Sequence, residues 1–285
     1  MSSEELKKRI AGGENLTTEF KVAGIHPDDL AASLVAGADL DDLDFSYFER
    51  FLLQAYGKRI DDFLVSRDQL LRNLRLARDG RPTIAGLLLF GREVERFLPH
   101  AQVNAAQFSG SEIADSPEDR KDFTGKLADQ FEGSMRFLKA HLRVRHDIKG
   151  MEPERSPELP EEALREAMVN ALVHRDYTVR GPIRLLVFRD RIEVHSPGKP
   201  PNTVDVEAMK LGTHVPRNPI ILSHLAKMGY VTSLGSGIPR MIKLVAAATG
   251  KEPEIAIRGF EVLVSIPRAA PPPPPRSGDR SPGSS

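Results

Sequence analysis

The sequence predicts an α+β protein, and three observations carry that expectation. A stretch of strong helix formers, ALREAMVNALVHRDY (Ala163 to Tyr177), has the period of a helix and breaks immediately afterwards. Short apolar runs of strand length, such as those in PIRLLVFRDRIEVHSPG, alternate with helical patterns along the chain. The 285 residues are 40% apolar, enough to bury a substantial core in about two domains.

Composition excludes several classes. Forty basic residues balance forty acidic ones, so no overall field draws the chain to nucleic acid or anionic lipid, and any such contact needs a local patch. With no cysteine there are no disulfides, thiol nucleophiles or cysteine-based zinc sites. The longest apolar runs, such as AGLLLF (Ala85 to Phe90), fall far short of the roughly 20 residues a membrane span needs. The opening MSSEELKKRIAGGENLTTEF lacks a signal-peptide core, so a cytoplasmic protein without membrane attachment is expected.

Ser2 to Ile10 reads as a short charged helix ending at Gly12-Gly13, with ENLTTEFKV as a strand. Asp44 is placed to cap a helix on which Phe45, Phe48, Leu52 and Tyr56 form a stripe. A second helix is expected over Ser66 to Arg78, and Asp79-Gly80 turns into PTIAGLLLFG, read as a buried strand or strand–helix junction. AQVNAAQFSG (Ala101 to Gly110) alternates as a strand, followed by a polar loop over Ser111 to Asp119. Two helices and a hairpin make this middle region winged-helix-like. Phe123, Leu127, Phe131 and Met135 then predict an amphipathic helix over Asp122 to Leu142. HDIKGMEPERSPELP (His146 to Pro160), rich in charge and proline, reads as a linker, with Pro160 in the first turn of the next helix.

Beyond the central helix, two apolar runs joined at Arg189-Asp190-Arg191 predict a β-hairpin that ends in a loop over Ser196 to Pro201. Asn218-Pro219 caps a helix, IILSHLAKMG; GSGIPRMIKLVAAATG opens on glycines and continues as another. Strands are expected near Glu254 to Ile257 and Glu261 to Ile266. The tail RAAPPPPPRSGDRSPGSS cannot bury a core and is expected to be disordered.

The chemistry concentrates on the central helix. Leu164, Met168, Ala171 and Leu172 share one face, while Glu166, Asn170 and His174 recur at four-residue spacing on another. An amide oxygen can ligate Mg2+, and a carboxylate one turn away can orient or deprotonate water. Taken alone, the pair also fits a solvated helix face. A glycine loop after a strand (Gly198) and a second opening a helix (Gly235, Gly237) add the close backbone approach and free N–H groups that a nucleotide needs.

This order, a helix with E-x-x-x-N, a strand ending in a glycine loop, a variable segment and a G-x-G helix, resembles the GHKL ATPase fold of gyrase, histidine kinases and MutL. More specifically, DLDFSYFERFL, TIAGLLLFG, EEALREAMVNALVHRDY, DRIEVHSPG, RNPIILSHLAKMGYV and GSGIPRM resemble transcriptional regulators often labelled RecG-like ATP-dependent helicases, over about Leu40 to Pro267. The resemblance implies a GHKL-type α/β sandwich binding ATP with Mg2+: Asn170 as metal ligand, Glu166 as base, Gly198 near adenine, Gly235 and Gly237 at the phosphates. Lys199 to Arg217 would be the ATP lid, with Arg217 either a phosphate contact or a surface arginine. His174 and Asp176 match the family's HRDY and are read as capping the helix end.

Two positions depart from the pattern. Ser196 stands where GHKL enzymes carry the aspartate that accepts the adenine amino group, and a hydroxyl accepts that bond without charge, at a cost of about 1 kcal/mol or more. Thr232-Ser233 replaces a usual Glu-Arg pair, a change that nothing in the sequence explains. ENLTTEFK (Glu14 to Lys21) resembles only the opening of the Schlafen-type AlbA domain that begins such proteins and is thought to bind nucleic acid.

The implied organisation is a Schlafen-AlbA remnant over residues 1–25, a middle region over 26–150, a GHKL-type domain over 151–268 and a tail over 269–285. The implied function is an ATP-binding regulator in which nucleotide acts as a conformational switch, with DNA and a second copy of the chain as further partners. The alternative is a DNA-binding regulator with a degenerate ATPase-like domain. A kinase loop is excluded because Gly181, not asparagine, lies five residues after Asp176. A helicase motor is excluded because no G-x-x-x-x-G-K-[ST] loop exists, and no histidine spacing fits a zinc site.

Overall fold

The computed structural model describes residues 33–113, 116–149, 152–200, 204–213, 215–231 and 236–269. The N-terminal helix and strand, the tail, Thr232-Ser233 and Gly235 lie outside them. The fold is α+β. A six-stranded sheet has the order β4-β3-β7-β8-β10-β9, from β3 (Val103–Gln107), β4 (Asp119–Phe123), β7 (Ile183–Val187), β8 (Arg191–Pro197), β9 (Glu254–Arg258) and β10 (Glu261–Pro267). Only the β3–β7 pair is parallel, Val103 opposite Ile183.

Among the described residues the α-helices are α1 (Phe45–Tyr56), α2 (Arg67–Asn73), α3 (Ile84–Phe90), α4 (Val94–Phe97), α5 (Leu127–His141), α6 (Glu161–His174), α7 (Val206–Lys210), α8 (Pro219–Lys227) and α9 (Gly237–Thr249). Asp44 caps α1 as its position predicts, its side chain accepting from the Tyr47 N–H at 3.0 Å. Ser66 caps α2, but that helix stops at Asn73 rather than at Arg78, because Arg75 and Asp79 adopt positive φ (58° and 53°) around the two-residue strands β1 (Ala77–Arg78) and β2 (Arg81–Pro82).

The run PTIAGLLLFG is the junction of β2 with a helix: Thr83 accepts from the Gly86 N–H at 3.0 Å, and Ala85 to Phe90 are all buried. Its apolarity reflects a helix enclosed on every side, not a strand. The run therefore supplies no strand to pair with β3. β3 pairs instead with β4 and β7, so the six-stranded sheet takes strands from both sides of residue 150. One apolar core runs from Val35 to Ile266, and α1 and α3 join it through Phe51 and Phe90, whose rings lie 5.4 and 6.2 Å from that of His224 on α8.

Two more elements differ from expectation. Asp122 and Phe123 end β4, and α5 begins at Leu127 after Gly125 turns the chain at φ 81°; Phe123 shares the period only because its ring packs on Phe137 of α5. The expected linker holds a two-stranded hairpin, β5 (Val144–Lys149) with β6 (Glu152–Pro157). Prolines are tolerated in such a ladder where the missing N–H points away from the partner strand. Pro160 is the N-cap of α6, one position before the first turn. Among the described residues, no helix is long and apolar enough to cross a membrane.

Candidate functional site

The central helix α6 packs its Leu164, Met168, Ala171 and Leu172 into the core, as their period predicts. Its polar face is not solvated. Glu166, Asn170 and His174 are half-buried in a cleft between α6, β8, β9 and β10, α9 and the segment holding α7. The cleft has two adjoining compartments that share Asn170, His174, Met209, Thr213 and Ile238.

The larger compartment has an empty volume of about 790 Å³, open to solvent on one side. Val194, Met241, Ile255, Val262 and Val264 make its walls apolar; Asn170, Ser196, Gly198 and Lys199 place polar groups among them. An apolar slot with a few placed polar atoms is the usual form of a site for a flat heteroaromatic ligand. Gly198 has φ 110°, and a Cβ there would lie 2.6 Å from the Cβ of Asp176, so glycine is required twice over.

The smaller compartment brings Glu166 and Asn170 against the start of α9. Asn170 Nδ2 donates to Glu166 Oε1 at 2.6 Å and to the Glu166 carbonyl at 2.8 Å, which leaves its amide oxygen for the cleft. A Cβ on Gly237 would lie 1.6 Å from Glu166 Oε1, so the glycine exists to let the helix end reach the carboxylate. Burial raises the Glu166 pKa, opposed by the Asn170 hydrogen bond and the charge of Arg240. Glu166 and Asn170 offer hard oxygens, and among the described residues no group of three or more histidine, cysteine or acidic side chains is arranged to hold a metal ion. Such a set suits Mg2+, which takes one or two protein oxygens and completes its shell with phosphate and water.

Ser196 lies in β8 itself, and its Oγ donates to the Ala171 carbonyl at 2.8 Å. Its proton is committed there, and its lone pairs are what it can offer a ligand. Arg217 is not brought to the cleft: it donates to Asp176 at 3.2 Å and to the Lys199 carbonyl, joining the two ends of the segment expected as a lid. From that segment Val204, Met209, Thr213 and Val215 line the cleft.

The HRDY stretch divides its tasks, and His174 is not confined to the helix end, since it lines both compartments. Arg175, 1% exposed, donates to the carbonyls of His100 and Gly181 at 2.7 and 2.6 Å and pins the following loop. The Asp176 N–H donates to Pro197 at 2.7 Å, and Tyr177 caps Leu172 at 2.8 Å. Asn218, expected as a helix cap, donates from its side chain to the carbonyls of Val173 and Arg175 at 2.7 and 2.8 Å. Sequence reasoning missed Ile255, Val262 and Val264; their alternation on β9 and β10 was the signal.

Residues 181–266 match the family model described as "Putative ATP-dependent DNA helicase recG C-terminal". The matched stretch carries Ser196, Gly198, Arg217 and Gly237 but starts after α6, and so does not include Glu166 or Asn170. The chain is also similar to the crystal structure of the DIP2311 protein from Corynebacterium diphtheriae, with a TM-score of 0.66 at 24% identity. That similarity covers 89% of this chain and 50% of the other, so this chain spans about half its length, and what the two share is the fold. No curated protein matches the chain.

Proposed function

We propose that the cleft binds ATP with Mg2+, and that the nucleotide acts as a conformational switch in a regulatory protein. The observation that carries the reading is the convergence of Glu166, Asn170 and Gly237 in one compartment that opens directly into the apolar slot below Ser196 and Gly198. Two regions separated in sequence by the lid meet there, and the family-model match over 181–266 is independent support for an ATPase-like domain.

In this reading the adenine ring enters the slot between Val194, Met241, Ile255 and Val264, where Ser196 accepts from its amino group. The phosphates lie toward the start of α9, where Gly237, Ile238 and Pro239 line the smaller compartment and Gly237 and Ile238 carry N–H groups that the helix itself leaves unpaired. Asn170 supplies its amide oxygen to the cation, which when bound would neutralise phosphate charge. Glu166 is the proton acceptor for an attacking water, because burial moves its pKa toward neutrality. Arg217 has no phosphate role here; it fastens the lid through Asp176 and Lys199.

A fluorescent N-methylanthraniloyl ATP tests this by equilibrium titration. Saturable enhancement in Mg2+ that chelation weakens supports it, and a flat signal under both conditions overturns it. A second reading, a DNA-binding regulator whose ATPase-like domain is purely structural, is favoured by the Ser196 proton already given to Ala171. It predicts salt-sensitive DNA retention in gel shifts that is indifferent to ATP.

A further inference from the structure

The two edges of the six-stranded sheet are built differently. The β4 edge reads Asp119-Arg120-Lys121-Asp122-Phe123, so charges stand along nearly its whole length and guard it against another strand. The β9 edge reads Glu254-Ile255-Ala256-Ile257-Arg258, with charge only at its ends and of opposite sign. Among the described residues no strand pairs with its outer side. Ile257 is 39% exposed there, and Glu254 and Arg258 are exposed on the sheet face away from the cleft.

The register of the β9–β10 hairpin fixes which backbone groups face outward. Arg258 opposite Glu261 closes a two-residue turn, so 258, 256 and 254 form the hydrogen-bonded pairs with β10. Ile255 and Ile257 therefore direct their N–H and C=O groups to the free edge. Pro253, with no N–H, ends the usable strand.

We propose that β9 pairs antiparallel with β9 of a second copy of this chain, about a two-fold axis through Ala256, joining two sheets edge to edge. In that register Ile255 lies opposite the second copy's Ile257 and the reverse, so all four outward backbone groups on each strand are satisfied. The same register sets Glu254 opposite Arg258 of the other copy on one face, and a row of four isoleucines on the other. The 3.3 Å ion pair that Arg258 and Glu254 make within the chain is exchanged for two between chains. Centring the pair on Ile255 would set Ile257 against Pro253, and centring it on Ile257 would remove the charge match. Charge complementarity thus selects both the occupant and its register. The inference does not depend on nucleotide binding.

The chain has no cysteine, so Ala256→Cys introduces a single thiol. In a non-hydrogen-bonded antiparallel pair the two Cα atoms stand about 4.5 Å apart, within the disulfide range. Mild oxidation is expected to convert Ala256→Cys to a covalent dimer, while Glu95→Cys, on the exposed side of helix α4 and in no strand of the sheet, stays monomeric. Sedimentation velocity from about 10 to about 300 µM, where small contacts associate, is expected to show a dimer for the parent. Glu254→Arg or Arg258→Glu alone weakens it about tenfold, since like charges then oppose each other twice. The double variant restores it. A parent that stays monomeric over that range with Ala256→Cys uncrosslinked overturns the proposal, as does a dimer indifferent to the single reversals.

Discussion

The Ser196 hydroxyl donates to the Ala171 carbonyl at 2.8 Å, tying strand β8 to the last turn of helix α6. It belongs to a set: the carbonyls of Ala171, Leu172 and Val173, which have no helical N–H donors, are taken in turn by Ser196, Tyr177 and Asn218. All three side chains are buried. The end of the site helix is therefore held by side chains from three other segments.

Ser196→Ala should leave the Ala171 carbonyl buried and unpaired, lowering unfolding free energy by about 1 to 3 kcal/mol in urea titrations. Ser196→Asp should cost as much or more at neutral pH, because a carboxylate would face that carbonyl without a proton to share. An Asp variant as stable as the parent would show that Ser196 is not a helix cap.

Gly237→Ala should destabilise by about 1 to 3 kcal/mol, because the new methyl group meets the Glu166 carboxylate. In a Glu166→Ala background that cost should shrink sharply, since the obstructing atoms are gone. A double-mutant cycle measures the coupling. Additive losses would mean that α9 does not approach Glu166 as described.

His224 predicts a pH dependence of stability. Its Nδ1 donates to the Ile220 carbonyl at 2.8 Å, its Nε2 is buried without a partner, and burial drives its pKa down from 6.5 to about 4. The unfolded chain therefore takes up the proton first as pH falls. Stability held above pH about 6.5 is lost progressively toward pH about 4, by up to about 3 kcal/mol in all. The difference between parent and His224→Leu unfolding curves, from neutral to acid pH, isolates this group. Parallel curves would contradict it.

How much of this was legible in the sequence depended on whether a residue's role is local. Asp44 and Ser66 cap helices through contacts three residues away, so the first cap and the start of the second helix could be read directly. The β7–β8 hairpin and the presence of strands β9 and β10 were legible for the same reason. Thr83 to Gly91 was ambiguous because a helix enclosed on every side loses its polar stripe and looks like a buried strand. At the site, the spacing of Glu166 and Asn170 announced a shared face, but nothing local showed that α9 arrives over it. The partners of Arg217 could not be read, because Asp176 and Lys199 lie 41 and 18 residues away. That the Ser196 proton goes to a carbonyl 25 residues earlier, leaving its lone pairs for a ligand, could not be read from its neighbours either.

The central claim is that Asn170 and Glu166 form the cation end of a nucleotide site. Calorimetric titration of the full chain with ATP in excess Mg2+ tests it most directly, with Asn170→Ala run beside the parent and both checked for native unfolding. One saturable site is expected in the parent, with affinity at least about tenfold weaker in the variant, the equivalent of about 1.4 kcal/mol. No heat from a folded parent, or equal affinity in the two proteins, would contradict it.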